Sequence, residues 1–178
     1  GRVAARIALL RDDVQLVAIN SRSEPSSHAY LLEYDSTHGR FELPVTATEN
    51  SLKIGKRTIA CFRADDPTAI PWADAQVDMV IEASGKFTTH EDAAKHLKGS
   101  VKKVLISAPS TDADITIVMG VNEEKYDSDK HHIVSNASCT TNCTATVIKV
   151  LNDAFGIKRA MMTTVHAATQ TQSILDGS

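Results

Sequence analysis

The apolar positions change their period several times along the chain. GRVAARIALL at the start spaces them for one face of a helix, whereas QLVAIN (Gln15–Asn20) compresses them into a short buried-strand run. SRSEPSS reads as a Ser/Pro-rich loop and HAYLLEYD as a short helix. From His38 to Cys61 the pattern alternates and is rich in β-branched residues, which predicts two or three strands joined by a turn around Glu49–Ser51. VDMVIEAS (Val77–Ser84), KKVLIS, ITIVMGV and HHIVSN are further apolar strands, and HEDAAKHLKG is a helix ending at Gly99. TATVIKVLNDAFG predicts a helix stopped by Gly156, and KRAMMTTVH a last strand.

Helices alternating with short apolar strands point to an α/β fold with a parallel sheet and right-handed crossovers. Ligands of such sheets bind beyond the carboxyl ends of the strands. The segments to inspect are therefore Ser21-Arg22, Ala83–Phe87, Ser107–Ser110, Ser135–Cys143 and His166–Thr171.

Composition narrows the function classes. The 178 residues carry a net charge of −3 with scattered Lys and Arg, which argues against a nucleic-acid partner. The longest apolar runs are too short and too polar for a membrane span. Three cysteines without disulfide-like spacing fit a reducing, cytoplasmic setting. The abrupt start and stop of the pattern read as a fragment, without a strand before the first helix.

Two of the three cysteines stand in SNASCTTNC, between the strand HHIVSN and the following helix. Cys139 thus lies near a helix N-terminus, where free N–H groups and the helix dipole favour a thiolate. Its hydroxyl neighbours Ser138 and Thr140 are wrong for an apolar core, whereas Cys61 and Cys143 read as buried packing residues. CxxxC with no second pair makes a poor zinc site, so no metal is expected. A nucleophilic cysteine needs a base. His28, His38, His90, His96, His131 and His132 sit in polar or helical contexts expected to be solvated; His166 ends an apolar strand and is the candidate.

SNASCTTNC and the later TTVHAATQ resemble the glyceraldehyde-3-phosphate dehydrogenase family, as do YDSTHGRF, EASGKFTT, ISAPS and VMGVN, in order along the whole chain. The resemblance implies a Rossmann-type cofactor domain over 1–138, lacking its N-terminal strand, and the start of an α+β catalytic domain over 139–178. It implies that Cys139 attacks the aldehyde of glyceraldehyde 3-phosphate. Hydride transfer to NAD or NADP would give a thioester, which inorganic phosphate cleaves. His166 would act as the base and the Cys139 N–H as an oxyanion donor, with Ser138, Thr140, Thr169 and Thr171 around the phosphate positions. It also implies a homotetramer. The resemblance implies that only the first part of the catalytic domain is present, so this polypeptide, on its own, is expected to be inactive.

At the cofactor end, Gly1, Arg2 and Val3, followed by Ala4, match the tail of a GxGxxG turn from its second glycine onward. Ser84, Gly85 and Phe87 match the family's stretch beside the riboses, and Ser107 belongs to the matching ISAPS. Where the family pattern VAxND puts an acid for the ribose 2′-hydroxyl, this chain has Ser21 followed by Arg22, which favours NADP or dual use. In FRADDP the family's arginine before Asp-Pro is replaced by Asp65. Two other readings remain: an erythrose-4-phosphate dehydrogenase, which shares SNASCTTNC, and a non-catalytic dinucleotide-binding protein, which predicts loss of Cys139 or His166.

Overall fold

Strand segments as short as these cannot bury a face alone, so the fold depends on how they pair. The computed structural model describes residues 1–168. Its elements are α1 (Arg2–Leu10), β1 (Ala18–Asn20), α2 (Pro25–Glu33), β2 (Val45–Ala47), β3 (Ser51–Ile54), β4 (Arg57–Phe62), β5 (Met79–Glu82), α3 (His90–Ala94), β6 (Lys103–Ile106), β7 (Ile115–Thr116), β8 (Ile133–Ser135) and α4 (Cys139–Phe155). The strands form two sheets, ordered β1-β4-β3-β2 and β5-β6-β8-β7.

The second sheet is parallel throughout, with Glu82 opposite Ile106 and Ile106 opposite Ser135. This register sets the carboxyl ends of β5, β6 and β8 side by side. In the first sheet, β1 runs parallel to β4, while β2, β3 and β4 form an antiparallel meander. The meander turns at Glu49–Asn50, as the alternating pattern predicts, and again at Gly55, whose φ of +57° suits glycine.

Leu9 of α1 and Ala29 and Leu32 of α2 close over Leu52, Ile54 and Ile59 of the first sheet. Ala18 and Phe62 of that sheet meet Trp72, Val77 and Val80, which joins the two sheets through one apolar cluster. Ala93 of α3 covers Val104, Ile106 and Ile133. Burial of such fully enclosed side chains is worth about 1.5–3 kcal/mol each.

Four expectations need correction. KRAMMTTVH is not a strand: residues 158–166 are irregular, and Met161 and Val165 are fully exposed. Apolar alternation signals a face to be buried, but a strand also needs a neighbouring ladder, and no such ladder exists among the described residues. Cys143 is exposed rather than buried, because α4 buries none of its residues and leaves Val147, Val150, Leu151 and Phe155 uncovered. His96 is buried, at 3% exposure, not solvated. Helix α3 stops at Ala94, and the chain then turns tightly to Gly99 (φ +59°), tucking His96 inward. A Cβ on Gly99 would lie 3.1 Å from the Ala73 Cβ, so this turn needs glycine for space as well as conformation. Finally, only Ile115–Thr116 of ITIVMGV pair as a strand, since the Asn122 carboxamide captures the Val118 N–H and bends the rest.

Candidate functional site

The turn from β8 into α4 is built from small polar residues, of which Ser135, Ser138 and Asn142 bond to the backbone through their side chains. Asn136 N–H donates to the Ile106 carbonyl at 2.9 Å, extending the β6–β8 pairing by one residue. Ser135 Oγ donates to the Ala108 carbonyl and accepts from the Ala137 N–H. Ala137 sits at φ +59°, a left-handed conformation that costs a non-glycine residue about 1–2 kcal/mol. Asn142 Nδ2 donates to the carbonyls of Asn136 and Ser138, clamping the turn from within the helix. Ser138 is the N-cap, its Oγ accepting from the Thr141 N–H at 2.9 Å. Ser138→Ala should therefore lower stability by roughly 1 kcal/mol, read as a drop in unfolding midpoint.

Cys139 follows the cap as the first residue of α4 and is exposed. Its Sγ lies 3.3 Å from His166 Nε2. The segment after α4 returns along the helix, with Thr144 Oγ1 contacting Met162 Sδ on the way, and so carries His166 back to the helix start. His166 Nδ1–H donates to the Ala167 carbonyl at 2.6 Å, which leaves Nε2 as the nitrogen facing the thiol. The hydrogen bond from His166, aided by contacts from Thr140, lowers the Cys139 pKa below that of an ordinary cysteine. The Ala167 carbonyl and then the Cys139 sulfur raise the His166 pKa. Both shifts favour a thiolate–imidazolium pair. Thr169 and Thr171 lie outside the described residues.

The proposed cofactor residues sit at neighbouring strand ends. A Cβ on Gly1 would stand 3.4 Å from the Ala83 Cβ, so the start of α1 lies against the end of β5. Ser84 and Gly85 follow, Gly85 at φ +76° with open space where a side chain would project. Ser107 N–H donates to the Glu82 carbonyl at 2.9 Å, placing it between this turn and the turn that carries Cys139. Val3 of α1 is exposed, and the Arg2 side chain is taken up by Asp35 at 3.3 Å. Phe87 is half-buried against His96.

Ser21 and Arg22 follow directly on β1 of the other sheet. Asn20 exchanges two hydrogen bonds with the backbone of Ala64, which holds the end of β4 beside β1. Arg22 Nε then reaches Asp65 Oδ1 at 2.5 Å, both side chains well exposed. The sequence reading missed Asn136, Ala137 and Asn142, whose parts are played through backbone conformation, and Glu82 with His96, whose partners are distant in sequence. Among the described residues no group of three or more His, Cys, Asp or Glu side chains could hold a metal ion, and no helix is long and apolar enough to cross a membrane.

Comparison with known proteins bears directly on this arrangement. The family model described as "Glyceraldehyde 3-phosphate dehydrogenase, NAD binding domain" matches residues 1–90, and the one described as its "C-terminal domain" matches residues 138–178. The chain is 52% identical over 176 residues to glyceraldehyde-3-phosphate dehydrogenase 1 of Bacillus cereus, covering 99% of this chain and 53% of that protein. It is 53% identical over 178 residues to the glyceraldehyde-3-phosphate dehydrogenase of Debaryomyces hansenii, covering 99% and 52%. For the enzyme of Geobacillus stearothermophilus the identity is 50% over 176 residues, covering 99% and 52%. The chain thus spans about half the length of the curated relatives it matches. With the cofactor-type sheet at one end of the match and the Cys139–His166 pair at the other, the chain belongs to the glyceraldehyde-3-phosphate dehydrogenase family.

Proposed function

We propose that the protein carrying this chain is a phosphorylating glyceraldehyde-3-phosphate dehydrogenase with Cys139 as its nucleophile. The observation that carries this reading is the 3.3 Å approach of His166 Nε2 to a cysteine at a helix N-terminus, next to open strand ends. Residues 1–138 would hold the dinucleotide through Gly1, Ser84, Gly85 and Ser107, and residues from 139 onward would begin the catalytic part. The open space at Gly85 and the close approach of Gly1 to β5 fit a cofactor whose phosphates and riboses press against backbone.

The Cys139 thiolate adds to the aldehyde carbon, forming the C–S bond of a thiohemiacetal while the oxygen takes up negative charge. The Cys139 N–H, free at the first turn of α4, can donate to that oxygen. The His166 imidazolium gives its Nε2 proton to that oxygen, forming the hydroxyl, and as neutral imidazole takes the proton back when hydride departs. A nicotinamide dinucleotide held by Gly1, Ser84, Gly85 and Ser107 would supply the oxidant, taking hydride from the thiohemiacetal carbon to leave a thioester. Inorganic phosphate attacks the thioester carbon, the C–S bond breaks, and acyl phosphate leaves with the Cys139 thiolate restored. Ser138 and Thr140 stand at the helix start where a substrate or attacking phosphate would lie. For the full-length protein that carries this chain, phosphate-dependent NAD(P)H formation from glyceraldehyde 3-phosphate, well above that from erythrose 4-phosphate, is the expected result; a higher rate with erythrose 4-phosphate would favour the second aldehyde, and no activity would reject the reading.

The cofactor preference follows from Ser21, Arg22 and Asp65. Position 21 has no acid to repel a 2′-phosphate, and the exposed Arg22–Asp65 pair is worth only ~0–1 kcal/mol, so a phosphate can displace Asp65 from Arg22. NADP should be used at a kcat/KM comparable to that for NAD. Asp65→Asn should favour NADP by about tenfold, and Ser21→Asp should swing the preference to NAD. A strong NAD preference insensitive to Arg22→Ala would remove this assignment.

A further inference from the structure

Glu82 and His96 are buried, at 7% and 3% exposure, and neither has a part in the chemistry above. Trp72 Nε1–H donates to His96 Nδ1 at 3.2 Å. An indole nitrogen can only donate, so Nδ1 must be bare and the imidazole proton must sit on Nε2. That proton faces Glu82 Oε2 at 3.1 Å. The other carboxylate oxygen, Oε1, accepts from the Ser84 N–H at 2.6 Å. Burial works against the Glu82 carboxylate, but the hydrogen bonds from His96 and Ser84 outweigh it and hold its pKa below the usual value.

We infer that His96 and Glu82 form a positioning pair that sets the Ser84–Phe87 turn for the dinucleotide. The inference rests on the reading of that turn as a cofactor site. Pairing within the second sheet ends at Glu82, so beyond it the turn is held by this carboxylate rather than by a ladder. The Glu82 carbonyl also accepts from the Ser107 N–H, and the Phe87 ring meets the His96 ring edge-on at 6.3 Å. One buried residue thus ties two candidate cofactor positions together, and its imidazole partner supports a third. A buried acid is a costly way to fill a core, where apolar residues of similar volume are often as stable. Its oriented oxygens, by contrast, fix a backbone N–H that no apolar residue could fix.

The test is NADH affinity, measured by calorimetric titration of the purified protein, set beside the unfolding midpoint. His96→Leu should weaken binding about tenfold, the effect of losing one hydrogen bond to a charged group. His96→Gln, whose amide can still donate to Glu82, should stay within about threefold of the parent. Ile59→Val, in the core of the first sheet, should lower the midpoint and leave affinity unchanged. Parent-like binding by His96→Leu, or equal weakening by Ile59→Val, would overturn the positioning role. Gly85→Val separates the two readings. If it leaves affinity unchanged, the turn is not the cofactor site and both fall; if it weakens binding while His96→Leu does not, only the positioning role falls.

Discussion

Cys139→Ser should abolish phosphate-dependent aldehyde oxidation while NADH affinity stays close to that of the parent. A serine hydroxyl titrates far above any working pH, and the helix N-terminus with one imidazole cannot make up that difference. The neighbouring thiol provides the control. Cys143 is also exposed, but it lies one turn into α4, away from the free N–H groups of the first turn and without a contact to His166. Cys143→Ser should keep most activity. Alkylation with one equivalent of iodoacetamide, followed by peptide mass mapping, should label Cys139 first. Equal loss of activity in the two variants, or preferential labelling of Cys143, would contradict the assignment.

His166→Asn is expected to reduce turnover by about 10²–10⁴-fold, the usual contribution of a positioned acid–base group. The alkylation profile carries the more specific signature. In the parent, the hydrogen bond from His166 lowers the Cys139 pKa, so thiolate persists to lower pH than for an ordinary cysteine. The thiol in turn helps raise the His166 pKa, so the imidazolium persists to higher pH. Both shifts enlarge the share of the pair present as thiolate and imidazolium. Removing His166 should shift the onset of alkylation upward, slowing the reaction near neutral pH and leaving it unchanged once both thiols are fully ionised. A turnover defect with an unshifted profile would leave His166 as a base for the hydroxyl proton but remove it as the partner of the resting thiolate.

Much of this site follows from local sequence, because its chemistry depends on local structure. A Ser-capped helix start directly after an apolar strand places Cys139 at the N-terminus of α4 whatever lies around it. The order of strands and helices likewise puts Ser84, Ser107 and Ser135–Cys139 at one end of a parallel sheet, since right-handed crossovers allow little else. His166 stood out as a histidine ending an apolar run; its distance from Cys139 is set by the return of the chain along α4, which no pattern encodes.

Tertiary structure decided the rest where a residue's state depends on distant partners. Among the described residues KRAMMTTVH has strand periodicity but no neighbour to pair with, and nothing covers the apolar stripe of α4, so Cys143 is exposed. Amphipathic pattern specifies a face to be covered, and the covering element has to come from elsewhere. His96 shows the converse: its sequence context is polar, yet Trp72 and Glu82, distant in sequence, enclose it. Asp65 meets Arg22 only because Asn20 holds the ends of β1 and β4 together. Periodicity is short-range information, whereas burial, tautomer and ion pairing are set by long-range contacts.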